Sequence, residues 1–286
     1  MTLETDRAGL TTRWIRYGEY RLHARVRPGR GVPIVLLHGL PDSLHLYDRL
    51  LPHLTADRPV ITFDFLGWGD SDKPAGYPYT ATNQVGEIGA VIRELELERV
   101  VLVAHDSSGP PAIDWALGHQ DRIAGLVLLN TYYGAVPGLR PPEAIFLYST
   151  PVLRLAARAV ARRFEGLDRR LYYWQVGRFV DDPRVRRTLV PEFYQRFRAA
   201  RPAFWRLNED LLPTLRDRRT KADRLGTMTA PVRIVFGGND PYLNVRVAGD
   251  FARRFPTAQV HLIPGARHYV QVDAPGRVAQ LMEGVA

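Results

Sequence analysis

Apolar residues change period along this 286-residue chain, and the changes divide it into three stretches. Near the start, Trp14-Ile15-Arg16-Tyr17 and Tyr20 to Val26 alternate, as half-buried antiparallel strands do. Pro33-Ile34-Val35-Leu36-Leu37 is instead a continuous apolar run ending at His38-Gly39, the pattern of a strand buried on both faces. Leu44, Tyr47, Leu50, Leu51 and Leu54 then follow helical spacing and predict a helix. Val60-Ile61-Thr62-Phe63 reads as the next buried strand, and Val85, Ile88, Ile92 and Leu95 mark another helix. Val100 to Ala104 and Leu126 to Leu129 are two further strands, separated by a helix from about Pro110 to Leu117. Strands alternating with helices predict an α/β fold with a mostly parallel sheet joined by right-handed crossovers.

The rhythm stops after Asn130. From Thr131 to about Leu225 no buried strand run occurs, and the stretch is helical, Arg-rich, aromatic and punctuated by proline. It resumes at Val232-Arg233-Ile234-Val235-Phe236 and Val260-His261-Leu262-Ile263, and closes in a helix carrying Val278, Leu281, Met282 and Val285. The chain thus reads as one sheet domain, residues 1–130 and 226–286, interrupted by a helical cap over 131–225. There is no internal repeat and no low-complexity tract.

Composition adds three constraints. At 45% hydrophobic and 24% charged the chain can bury a full core, which excludes disorder and collagen. It has no cysteine, so disulfides, thiolate metal sites and cysteine nucleophiles are out. The start, MTLETDRAGL, is polar, and no run of about 18 apolar residues occurs, so a cytoplasmic protein without a membrane span is expected. The net charge of +9 is almost all arginine, since lysine occurs only at Lys73 and Lys221. Between Pro151 and Arg206 stand 14 Arg against five acids, an excess equal to that of the whole protein. Such a segment can attract nucleic acid, a membrane surface or an anionic substrate. No nucleic-acid motif accompanies it. The expected reading is a solvated helical face, with Arg154, Arg158 and Arg162 outward and Val152, Leu155 and Val160 on the other side. Neither nucleic acid nor membrane is then a partner.

In open α/β sheets the chemistry sits at the carboxyl ends of strands. Those ends carry His38-Gly39-Leu40-Pro41, the stretch Asp64 to Gly69, His105-Asp106-Ser107-Ser108-Gly109, Asn130, Gly237-Gly238-Asn239-Asp240 and Gly265-Ala266-Arg267-His268. Three of them offer a nucleophile, an acid and a histidine, in the order expected of a hydrolase of this architecture. The chain resembles an α/β-hydrolase, and within that superfamily the epoxide hydrolase and haloalkane dehalogenase group. His-Gly-x-Pro at 38–41, Asp-Phe-Leu-Gly-Trp-Gly-Asp-Ser-Asp-Lys-Pro at 64–74 and His-Asp at 105–106 carry that resemblance. It implies an eight-stranded sheet flanked by helices on both faces, with Asp106 as nucleophile, His268 as base and Asp240 as its acid partner. It also implies an oxyanion hole of the Leu40 and Ser107 backbone N–H groups, and no cofactor or metal. A tight strand-to-helix turn needs small residues two before and two after its nucleophile. Centred on Asp106 these are Ala104 and Ser108; centred on Ser107 the first would be His105, which is too bulky.

The leaving group is less marked. In haloalkane dehalogenases a Trp follows the nucleophile and an Asn often follows His-Gly; here those positions are Ser107 and Leu40. Fluoroacetate dehalogenases place Arg after the nucleophile, which this chain does not. Epoxide hydrolases protonate the opening ring oxygen with cap tyrosines, and the insert is rich in them. Tyr148 stands at about the family's spacing for the first, while Trp205 occupies the place of the second and Tyr173 or Tyr194 would substitute. Epoxide opening is the first expectation and dehalogenation the alternative, ahead of a Ser107 esterase or lactonase and a non-hydrolytic ligand-binding or ring-closing protein. His45 and His53, flanking one predicted helix, have no third ligand at useful spacing. The expected partner is a small-molecule substrate, and a homodimer stays open.

Overall fold

A computed structural model describes residues 9–285; most of the polar N-terminal start lies outside the described residues. Eight strands form one sheet: β1 (Thr11–Tyr17), β2 (Tyr20–Arg27), β3 (Ile34–Leu37), β4 (Val60–Phe63), β5 (Val100–Asp106), β6 (Ile123–Thr131), β7 (Val232–Gly237) and β8 (Ala258–Ile263). Their order across the sheet is β1-β2-β4-β3-β5-β6-β7-β8. β1 and β2 run antiparallel, β2 lies antiparallel to β4, and every pairing from β4 to β8 is parallel. Burial follows position. β3, β4 and β6 have every residue out of water, whereas β1 and β8 on the two edges are largely exposed. Central strands covered on both faces are apolar along most of their length, Thr62, Asn130 and Thr131 being the buried polar residues of these three, which is why they were legible as apolar runs.

The helices are α1 (Ala81–Glu94), α2 (Gly109–Gly118), α3 (Glu143–Ser149), α4 (Pro151–Arg163), α5 (Glu165–Gly177), α6 (Pro183–Thr220), α7 (Val245–Arg254), α8 (Val270–Asp273) and α9 (Pro275–Glu283). α3 to α6 all lie between β6 and β7, as a helical insertion. The chain therefore has the α/β-hydrolase architecture. α6 runs 38 residues through Pro191, Pro202 and Pro213.

Two expectations fail. The helix expected over Leu44 to Leu54 is two short 3-10 turns, Leu44–Tyr47 and Leu51–His53. Pro52 lacks the N–H that a continuing helix would need, and the four leucines and the tyrosine still bury their side chains. His45 and His53 thus do not share a helix. The second failure is α4, which faces the opposite way. Arg158 and Arg154 turn inward to Glu209, at 2.5 and 3.9 Å, and the Arg158 guanidinium also lies over the Trp205 ring. Only Ala157 and Ala161 of this helix are buried, while Val152, Leu155 and Val160 face solvent. An acceptor carboxylate and an aromatic face on α6 hold the arginines, and only small residues fit between the two helices.

Candidate active site

The turn after β5 sets the site. Asp106 is the last residue of β5 and adopts a φ of +50°, a left-handed conformation that costs a non-glycine residue roughly 1–2 kcal/mol. Close packing holds it there. A Cβ on Gly39 would lie 2.6 Å from the Asp106 Cβ, and one on Gly109 would lie 1.9 Å from Thr131 Oγ1. The Ser108 hydroxyl sits 2.8 Å from the His105 carbonyl and 3.0 Å from that of Leu37, stitching the turn to β3. Pro110 and Pro111 open α2, where a missing N–H costs nothing.

The Asp106 carboxylate accepts a hydrogen bond from the Leu40 N–H at 2.9 Å and another from the Ser107 N–H. Burial pushes its carboxyl above the ordinary range; His268 and the two N–H donors oppose this only in part. The loop bearing Leu40 is anchored by Asp64, which accepts from the Leu44 and Asp70 N–H groups at 2.8 and 3.1 Å. His38 ties β3 to β4, its Nε2 accepting from the Phe65 N–H at 3.2 Å.

His268 faces Asp106 with Nε2 3.9 Å from Oδ1, and its Nδ1 lies 2.8 Å from Asp240 Oδ2. Burial alone would lower its pKa, but Asp240, Asp106 and Asp42 together raise it. Burial likewise works against the Asp240 carboxylate, and His268 with the Tyr242 and Asn130 hydrogen bonds brings it below the ordinary range. Asn130 bridges β6 to β7, donating to Asp240 Oδ2 at 2.9 Å and accepting from the Gly237 N–H at 2.7 Å. His105, beneath the turn, places Nε2 3.1 Å from the His268 carbonyl, and burial holds it neutral.

Asp106 and His268 open onto a cavity of about 300 Å³ between sheet and cap. Its walls are mostly apolar, with Leu139, Ile145, Leu171, Val176, Phe179, Phe197, Phe204 and Leu215 among them. Of the four cap residues expected to meet a leaving group, only Tyr148 lines it. The Tyr148 hydroxyl accepts from the Trp205 indole and donates to Asp168, so Trp205 acts behind the wall. Tyr173 and Tyr194 pack on each other at 5.6 Å, and the Tyr194 hydroxyl accepts from Arg201 at 2.9 Å. Arg201 also pairs with the buried Asp168 at 2.7 Å, and neither Tyr173 nor Tyr194 lines the cavity.

Two residues not singled out from sequence belong to the site. Tyr172 lines the cavity, is buried, and its hydroxyl has no hydrogen-bond partner. Asp42, two residues beyond Leu40, is buried beside the pair; it accepts from the Tyr269 hydroxyl through Oδ1, while Oδ2 is unpartnered. Burial pushes its carboxyl up to about 7, the Tyr269 hydrogen bond and His268 opposing and Asp106 adding to the shift. An acid so close to His-Gly was the available signal for Asp42, but Tyr269 lies 227 residues away.

Comparison with known proteins places the fold. The alpha/beta hydrolase fold family matches residues 32–275. A haloalkane dehalogenase of Mycobacterium marinum is 30% identical over 265 residues, covering 88% of this chain and 84% of its own. Among solved structures, Cfl2 from Burkholderia cenocepacia superposes with a TM-score of 0.85 at 21% identity, covering 99% of this chain and 98% of its own. The epoxide hydrolase VrEH1 from Vigna radiata does so at 0.78 and 19%, covering 98% of both. With a tight turn at Asp106, a His–Asp pair and a capped cavity joined on one sheet, the chain belongs to the alpha/beta hydrolase fold family, and is a hydrolase similar to the haloalkane dehalogenases.

Proposed function

We propose that this hydrolase opens small apolar epoxides through an ester on Asp106. The Asp106 carboxylate attacks a ring carbon through Oδ1, forming one C–O bond as the ring C–O bond breaks. The electron pair goes to the ring oxygen, which takes its proton from a cap tyrosine. Tyr172 is the first donor, because its hydroxyl is uncommitted, and Tyr148 stands second. Burial holds both phenols protonated, that of Tyr148 pushed up to about 12. His268 Nε2 then deprotonates a water that attacks the Asp106 carbonyl carbon, and the Leu40 and Ser107 N–H groups hold the resulting oxyanion. Esterification removes the Asp106 charge that helps keep His268 protonated, so the histidine becomes a base when it is needed. Asp240 orients it and balances its charged form. Collapse breaks the ester C–O bond: the departing alkoxide takes the proton held by His268, the proton of the newly formed carboxyl returns to the tyrosine phenolate, and the diol leaves behind a carboxylate that carries one oxygen from water.

One observation carries the choice of leaving group: tyrosines line the cavity, Tyr148 and Tyr172 among them, and no tryptophan does among the described residues. A departing oxygen needs a proton, which a phenol supplies; a departing halide needs only N–H donors. The test offers a terminal epoxide and a bromoalkane of equal chain length. Diol formation without halide release is expected, with Tyr172→Phe lowering kcat about 100-fold. Faster bromide release, untouched by Tyr172→Phe, would make the enzyme a dehalogenase instead.

A further inference from the structure

The outward face of the cap carries large apolar side chains that no described residue covers. Along α4, Val152 is 79% and Leu155 68% exposed, and Leu153 and Val160 are exposed beside them. Successive residues turn by about 100° in a helix. Leu155, Ala159, Val152 and Ala156 therefore share the side opposite the buried Ala157 and Ala161. The connection to α5 exposes Phe164, and α5 itself exposes Leu167 and Trp174. Contiguous large apolar side chains on a soluble surface mark an interaction site.

The charges around this face choose the occupant. Arg162 and Arg163 end α4, and Arg169 and Arg170 follow on α5; all four are exposed, and none is in an ion pair among the described residues. Between Ala144 and Leu167 the only acid is Glu165, already paired with Arg198 at 2.8 Å. Two copies meeting through this face would set arginine against arginine, whereas an anionic surface complements it. The face also begins at the cavity. Phe146 lines the cavity and is 55% exposed, and Thr150, another lining residue, is the N-cap of α4. No single helix is long and apolar enough to cross a membrane. A short helix with an apolar side and terminal arginines instead suits the plane of a bilayer interface, apolar face down.

We infer that α4 and the start of α5 dock this protein on an anionic lipid bilayer, with the cavity mouth at the edge of the docked face. This replaces the expectation of no membrane partner, and it stands whatever the leaving group proves to be. The arginines draw the protein to the surface, and Val152, Leu155 and Val160 enter the headgroup region. A lipophilic substrate dissolved in the bilayer would then reach the cavity past Phe146.

Vesicle co-sedimentation tests it, using phosphatidylglycerol vesicles, phosphatidylcholine vesicles and the double variant Val152→Gln/Leu155→Gln. That pair leaves every charge in place and touches no buried position, so folding is spared. Binding to phosphatidylglycerol at least about 10-fold tighter than to phosphatidylcholine is expected, weakened at high salt and lost about 10-fold in the double variant. Equal binding by variant and parent would reduce the attraction to diffuse positive charge and overturn the docking face. So would absence of binding, or a dimer in sedimentation velocity that the double variant dissociates.

Discussion

Strand β5 and helix α4 bury their side chains by opposite rules, although both lead toward the same cavity. β5 places Val100 to His105 out of water and ends on Asp106, while α4 keeps only two alanines inside and holds its large aliphatic residues out. A central strand has no freedom, because sheet neighbours and helices cover every side chain. An outer helix of an insertion is covered on one side only, and where α6 offers Glu209 and Trp205 on that side the arginines take the inside. In the proposed reading the chemistry sits on the first kind of element and access to it on the second. Placing the reacting groups on the rigid scaffold and the adaptable surface on the cap allows one set of catalytic residues to serve different substrates.

That division predicts unequal responses to substitution. The largest effect is expected at the turn. Asp106→Asn should abolish turnover, by at least about 10⁴-fold, while leaving the melting temperature close to that of the parent, since Asn tolerates the left-handed backbone. Calorimetry beside a product assay reads both. Next comes the strand itself: Leu102→Ala, at a fully enclosed position of β5, should cost about 3 kcal/mol in denaturant unfolding.

Asp42 gives a smaller and pH-dependent effect. Its carboxyl titrates at about 7 in the fold against an ordinary value near 4, so the folded state holds the proton more tightly. Stability therefore falls as pH rises from about 4 to about 7, and none of the loss is present below that window. Asp42→Asn should match the parent at pH 3 and exceed it by about 4 kcal/mol at pH 8. A pH-independent difference between the two would remove the buried acid from the account. The smallest change is expected on α4. Leu155→Ser should leave stability within about 0.5 kcal/mol, and a loss near that of Leu102→Ala would mean that α4 is packed as the sequence pattern implied.

What could be read in advance follows the same line. The runs at 34–37, 60–63, 100–104 and 126–129 were legible because burial on both faces favours apolar residues. The turn residues were legible because small side chains at Ala104, Ser108 and Gly109 are a local steric demand. Periodicity, by contrast, reports that a helix has two faces and not which one looks inward, so α4 was placed backwards and Tyr173 was preferred to its neighbour Tyr172. Leu44 to Leu54 has helical spacing because 3-10 turns bury nearly the same positions. Asp42 with Tyr269, and Arg201 with Asp168 and Tyr194, are contacts across long stretches of chain, and no local pattern announces them.

The central claim is an ester on Asp106, and a stalled His268→Gln variant tests it most directly. This substitution removes the base for the second step and leaves the attacking carboxylate intact, so the intermediate should accumulate on exposure to a terminal epoxide. Intact-mass measurement followed by peptide mapping is predicted to find one hydroxyalkyl group per chain, on the peptide containing Asp106. The same adduct on Ser107, or a variant that turns over as fast as its parent with Asp106 unmodified, would contradict the account.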